Sequence, residues 1–418
     1  MNSRERVLAA INHMKPDRIP LDLGSSGVSG IHCKALYSLR ERLGLDKHII
    51  KAIDPVMMLG EVEEDVRQAL GIDIIGLHTP NSPFGYRNDE WKLLCLPDGT
   101  EVYVGVGFNV TYDSDGAVYA HPGGGDVTKK PSLKMPAGGF YFDNIFRQQD
   151  LENHVFNARV DYANDFKLLD DATCHKLEKE SKKLFEETEY AIFGSLFPGC
   201  FGDFFQIAGA WLDHPQGIRR LEDWMIAHYT HPDYIEECFD LQTEIGLKNL
   251  ELYKQAVGEH IHIIAISATD FGTQNAPLIS PATYKELYKK YHKKLNDWVH
   301  ENTNWKTFCH SCGCTEPFIE DFIEAGFDIL NPIQISAKGM EPALLKEKYG
   351  GRIVFWGGAV NPQETMPFGT PDEVRNEVLQ NISILGEDGG YICGNVHCIQ
   401  AGTPPENILA LYETVKNR

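Results

Sequence analysis

The 418 residues are 42% hydrophobic and 24% charged, the proportions of an ordinary globular protein, which excludes a disordered or fibrous class. A formal net charge of −21 opposes nucleic-acid phosphates and anionic membranes, so neither is an expected partner. No stretch reaches the roughly 18 apolar residues of a membrane helix and the first residues lack an apolar leader core, so the expected location is cytoplasmic, with the ten cysteines reduced.

Residues 4–12 carry a helical pattern, which Lys15-Pro-Asp-Arg-Ile-Pro20 breaks before a short apolar run at 21–23. The Gly- and Ser-rich stretch 24–30 reads as a loop, without the lysine or the glycine spacing of a phosphate-binding turn. Helices at 33–43 and 61–70 lead into a buried strand at 72–77. From 84 to 143 the character changes. Turn signals at Pro97-Asp-Gly99 and Asp113-Ser-Asp-Gly116 and the alternation of Thr100-Glu-Val-Tyr-Val104 predict hairpins, so this stretch reads as a β-rich insertion.

A regular rhythm follows. Helix 174–187 precedes strand 190–195, helices at 203–210, 218–228 and 233–257 precede strand 262–267, and helix 281–301 precedes strand 305–310. Helices 316–325, 340–349 and 372–385 then alternate with strands 327–330, 353–356 and 390–393, and helix 405–416 closes the sequence. Counting 19–23, about eight apolar strands alternate with helices, which predicts an α/β protein with a (β/α)8 TIM barrel, residues 1–418 forming one barrel domain, with a doubly wound sheet as the alternative. Length alone would suggest two or three domains, but single barrels are the known exception.

Reactive residues should then gather just after the strands. Asp270, His310 with Cys312, Asn331 with Gln334, Asn361, and His397 with Cys398 all stand there. In an extended segment residues two apart point to one side, so His310 and Cys312 can share one metal ion, with the remaining ligands coming from distant chain. Free cysteines are also common core residues, which competes with that reading for any single thiol. Phe197, Phe201 and Trp356 could cage an aryl ring or be plain core.

The segments Phe308-Cys-His-Ser-Cys-Gly313, Gly326-Phe-Asp-Ile-Leu-Asn-Pro-Ile-Gln334, Phe355-Trp-Gly-Gly358, Val396-His-Cys-Ile-Gln400 and Thr403-Pro-Pro-Glu-Asn407 resemble the uroporphyrinogen decarboxylase superfamily. More narrowly they are similar to its zinc-dependent methyltransferases that work with corrinoid proteins. The resemblance implies a barrel of that family's type. It disfavours porphyrinogen decarboxylation, because residues 21–30 lack the arginines that clamp substrate carboxylates there.

The same resemblance implies zinc ligands at His310 and Cys312. The family's third ligand, counted back from Thr403, falls on His397 with Cys398 beside it, and Cys393 is a further candidate. Asp270, Gln334 and His397 are the implied catalytic residues, and Gln274, Asn331, Asn361 and Trp356 the implied substrate-binding ones. The expected reaction moves a methyl group from a methoxylated donor, aromatic ones included, to the Co(I) corrinoid of a partner protein. Zinc would act as a Lewis acid on the departing oxygen. Methyl transfer from a corrinoid to a thiol, and metal-free decarboxylation, are the alternatives. A homodimer is a family-based expectation.

Overall fold

Seven short strands run parallel in one sheet: β1 (Ile74–Leu77), β2 (Ala191–Ser195), β3 (Ile263–Ser267), β4 (Lys306–His310), β5 (Ile329–Asn331), β6 (Val354–Trp356) and β7 (Tyr391–Ile392). Each is hydrogen-bonded to its neighbour in chain order. Parallel neighbours need a crossover, and outside the first connection helices supply most of it, such as Pro232–Val257, Lys289–Asn302 and Pro371–Leu385. This computed structural model describes residues 1–79, 86–122, 124–195, 201–202 and 208–418. Phe197 and most of the expected helix 203–210 lie outside them.

The sheet is curled. Residues 20–22 sit between its two edge strands, exchanging backbone hydrogen bonds of 2.9 Å with Cys393 on one side and accepting one of 2.9 Å from Asp73 on the other. A curled parallel sheet with helices between its strands is consistent with a TIM-barrel-like fold.

Alternate residues of each strand point inward. Phe193, Phe308 and Trp356 meet edge to face within the curl, with ring centroids 5.0, 5.3 and 5.9 Å apart. Val7 and Ile11 of the first helix, Ser3–Ile11, join the same cluster, so that helix stops the end of the curl where the strands begin. Asp73, fully buried, fastens it there through Arg6 and Arg18, each at 2.7 Å.

Antiparallel strands fill the stretch after β1. Trp91–Cys95 pairs with Glu101–Gly105, and four more strands between Val110 and Asn144 form a meander. Gly116, at φ +88°, makes the turn that Asp113-Ser-Asp-Gly116 foretold. The expected single helix 281–301 differs: Tyr284–Tyr288 form one wide π turn inside it. That turn brings the Tyr284 and Tyr288 rings parallel, and both pack edge-on against Phe271, directly after Asp270. Among the described residues no helix is long and apolar enough to cross a membrane.

Candidate metal centre

Strand β4 sets the first donor. Phe308 faces the interior, so His310, two residues on, faces the same way one layer nearer the strand ends. The chain then turns at Gly313, whose φ is +86° and where a Cβ would lie 2.4 Å from the carbonyl of Gly272. Only glycine permits this approach of the loop after β4 to the loop after β3.

Hydrogen bonds knit the two loops. Asp270 Oδ1 accepts from the Cys312 amide at 2.7 Å, Ser311 Oγ from the Phe271 amide at 2.9 Å, and the Thr273 carbonyl from the Cys314 amide at 2.8 Å. Gln334 Oε1 accepts from the Gly313 amide at 2.7 Å, and its Nε2 donates to Gln274 Oε1 at 3.0 Å. Gln274 in turn donates to the Ser336 carbonyl. Gln274 and Gln334 therefore brace the loop that carries Cys312.

His310 is buried, and its proton is placed by its neighbour. Asn331 Nδ2 donates to the Trp356 carbonyl at 3.4 Å, so Asn331 Oδ1 faces His310 Nδ1 at 2.6 Å and must accept from it. The neutral ring then carries its lone pair on Nε2, 3.4 Å from Cys312 Sγ and 3.9 Å from Asp270 Oδ1. From the loop after β7, the His397 ring stands at a centroid distance of 5.2 Å from that of His310. Its Nδ1 accepts from the Cys398 amide at 2.8 Å. His310, Cys312 and His397 each offer one ligand atom within 4.8 Å of the others.

The electrostatics fit a cation. Burial holds both imidazoles down at about 4, against the Asn331 hydrogen bond for His310; for His397 the nearby His310 lowers it further while Asp270 opposes. Burial first, and then Asp270, push the Cys312 thiol well above its ordinary value, and burial raises Asp270 as well. Two imidazoles and a thiol converge on one point, a donor set of the kind zinc takes. With Nδ1 of His397 accepting from the Cys398 amide, its ring proton lies on Nε2, so ligation through Nε2 would break that hydrogen bond, and a divalent ion would lower the thiol that burial raises.

The other expected residues are placed as follows. Cys398 Sγ lies 3.0 Å from the Gly27 carbonyl and Cys393 is enclosed beside Tyr391; burial pushes both thiols up to about 12, and neither belongs to the three-donor group. Trp356 lies in the interior beneath the group, its indole donating to Asp22 Oδ2 at 3.1 Å. Asn361 Oδ1 accepts from the amides of Gln363 and Glu364 at 2.9 and 3.2 Å, bracing its own turn. Phe201 is core, against Phe239 and Tyr291. Sequence reasoning passed over Asp22, whose carboxyl burial raises to about 6 against hydrogen bonds from Ser25, Ser29 and Trp356. An acid inside an apolar strand was the available signal.

Residues 215–418 match the family model of uroporphyrinogen decarboxylase (URO-D), which bears out the resemblance read from the motifs. A solved structure of a methyltransferase from Methanosarcina mazei matches over 100% of this chain and 99% of its own, at TM-score 0.53 and 16% identity, and so shares the fold. A GH113 beta-1,4-mannanase covers 61% of this chain and 82% of its own, at 12% identity and TM-score 0.27, too weak a likeness to inform the fold. No curated protein matches the chain.

Proposed function

From a place in the uroporphyrinogen decarboxylase superfamily, we propose that this chain is a zinc-dependent methyltransferase. On this reading it has a (β/α)8 barrel and moves a methyl group from a methoxylated donor to the Co(I) corrinoid of a separate partner protein. The observation that carries the reading is the convergence of His310, Cys312 and His397 at the strand ends, in the half of the chain that matches the family. Zinc held there would supply Lewis acidity toward the ether oxygen.

The residues of the chain do the rest. Asn331 keeps the His310 lone pair on Nε2. Asp270, through the Cys312 amide, and Gln334, through the Gly313 amide, hold the thiol's loop in place before any ligand arrives, so little ordering is left for the binding step. Transfer would require the methyl carbon's bond to oxygen to break with its electron pair left on oxygen, the nucleophile being supplied by the partner's corrinoid at the Co(I) level.

Zinc content by mass spectrometry, read beside demethylation of methoxyarenes with reduced cobalamin, tests this. Near-stoichiometric zinc lost in both His310→Ala and Cys312→Ala, with methyl transfer lost alongside, is the expected result. A folded protein that takes up no zinc when supplied with it overturns the reading and favours metal-free decarboxylase chemistry.

A further inference from the structure

A cavity of about 410 Å³ opens at the other end of the curl, where the strands begin. Its walls are the end of the first helix at Ile11 and His13, the first residue of β4 at Lys306, and the turns into β5 and β6 at Asp328 and Arg352. The volume lies in the usual range for small organic ligands. Ile11, Ile323 and Phe327 make part of the lining apolar. The polar part is rich in donors. Asp328 accepts from His300 Nε2 at 2.7 Å, the Thr307 amide at 2.8 Å and Lys306 Nζ at 3.2 Å, so both of its oxygens are occupied. Lys306 keeps N–H groups beyond the one given to Asp328, and Arg352, which meets Glu320 through its two terminal nitrogens at 2.8 and 2.5 Å, keeps its Nε free among the described residues.

Ion pairing alone accounts for those side chains but not for His13. That residue follows the cap of the first helix, in the bonding pattern that usually calls for glycine: its amide donates to the Ala10 carbonyl at 3.1 Å, the Met14 amide to that of Ala9 at 2.8 Å, and its φ is +55°. The ring lies against Gly390, where a Cβ would stand 2.6 Å from Nδ1. It makes no hydrogen bond among the described residues. Burial first, then Lys306 and Lys346, lower its pKa, with Asp328 opposing. A left-handed backbone therefore holds an unpartnered imidazole in cationic surroundings, within a chain of net charge −21.

We propose that this cavity binds a small phosphomonoester, with His13, Lys306 and Arg352 donating to the phosphoryl oxygens and the apolar lining receiving the organic group. The site lies at the opposite end of the curl from His310 and is independent of methyl-transfer chemistry. A phosphoryl group carries close to two negative charges and acceptor oxygens pointing several ways, which suits N–H groups brought together from three separate segments of the chain. A neutral ligand would leave the charged donors without an answering charge, and Asp328, already fully engaged, does not compete for them.

Titration calorimetry of the full-length, zinc-loaded protein with inorganic phosphate and with phenyl phosphate, at an ionic strength fixed with chloride, tests this. Both should bind, phenyl phosphate about tenfold more tightly because its ring leaves water for the apolar lining. Arg352→Gln should weaken both by about tenfold, the effect of one charge-assisted hydrogen bond. His13→Gly suits the left-handed backbone, so it should keep a melting temperature close to that of the parent while weakening both by about fivefold. Absence of phosphate-specific heat, or unchanged affinity in the folded Arg352→Gln and His13→Gly proteins, overturns the proposal. Equal affinity for the two compounds overturns the phosphomonoester assignment. Binding lost in Cys312→Ala would place the anion at the metal centre and overturns it as well.

Discussion

Replacing Asn331 by Leu should weaken zinc binding by about 10- to 100-fold without unfolding the protein. The asparagine touches no proposed ligand atom, but its Oδ1 lies 2.6 Å from His310 Nδ1 and is itself aimed by the Trp356 carbonyl. Leucine is of similar size and removes the acceptor. His310 is 4% exposed, so its Nδ1–H would be left without a partner, at a cost of about 1–3 kcal/mol. At 1.4 kcal/mol per decade that corresponds to roughly 5- to 150-fold if the metal-bound state alone fixes the proton on Nδ1, in line with the usual effect of losing such an outer partner. The ring would also be free to move its proton to Nε2, where it blocks ligation. Competition against a chromophoric zinc chelator measures the affinity, and the melting temperature of the metal-free protein separates it from general damage. Unchanged zinc affinity in a folded Asn331→Leu protein would refute the ligand role of His310 Nε2.

Three further outcomes are expected. Cys398→Ser should keep its zinc, because that thiol is engaged with the Gly27 carbonyl; stoichiometric loss on metal analysis would place Cys398 among the ligands instead. Asp73→Ala removes the buried carboxylate that Arg6 and Arg18 share, leaving Arg6 its ion pair with Asp17 and taking Arg18's carboxylate partner, and chemical denaturation should show a loss of about 3 kcal/mol, where a change below about 1 kcal/mol would remove Asp73 as the fastening of the first helix. His292, fully enclosed and lowered by burial to about 3 from 6.5, contributes stability that is fully present above 6.5 and lost as the pH falls through that window. His292→Phe should therefore flatten the decline of melting temperature between pH 6.5 and 4, and identical slopes would refute the assignment.

What the sequence made legible follows the range of the interactions. The strands and their inward faces depend on alternation over a few residues, so Phe308 and His310, and Ile329 and Asn331, could be placed from the chain alone. The His310–Cys312 pairing has the same local origin. The third donor does not: His397 reaches His310 from a different strand end, and its neighbour Cys398 turns the other way because a bridge between Ile31 and Ile399 sets the path of that loop. Counting residues could bring both to the site but could not say which faces it.

Gln274, Gln334 and Asn361 show the same limit. A loop amide can meet a substrate or a backbone, and the choice is made by the adjoining loop, here the close approach at Gly313 that only a three-dimensional register reveals.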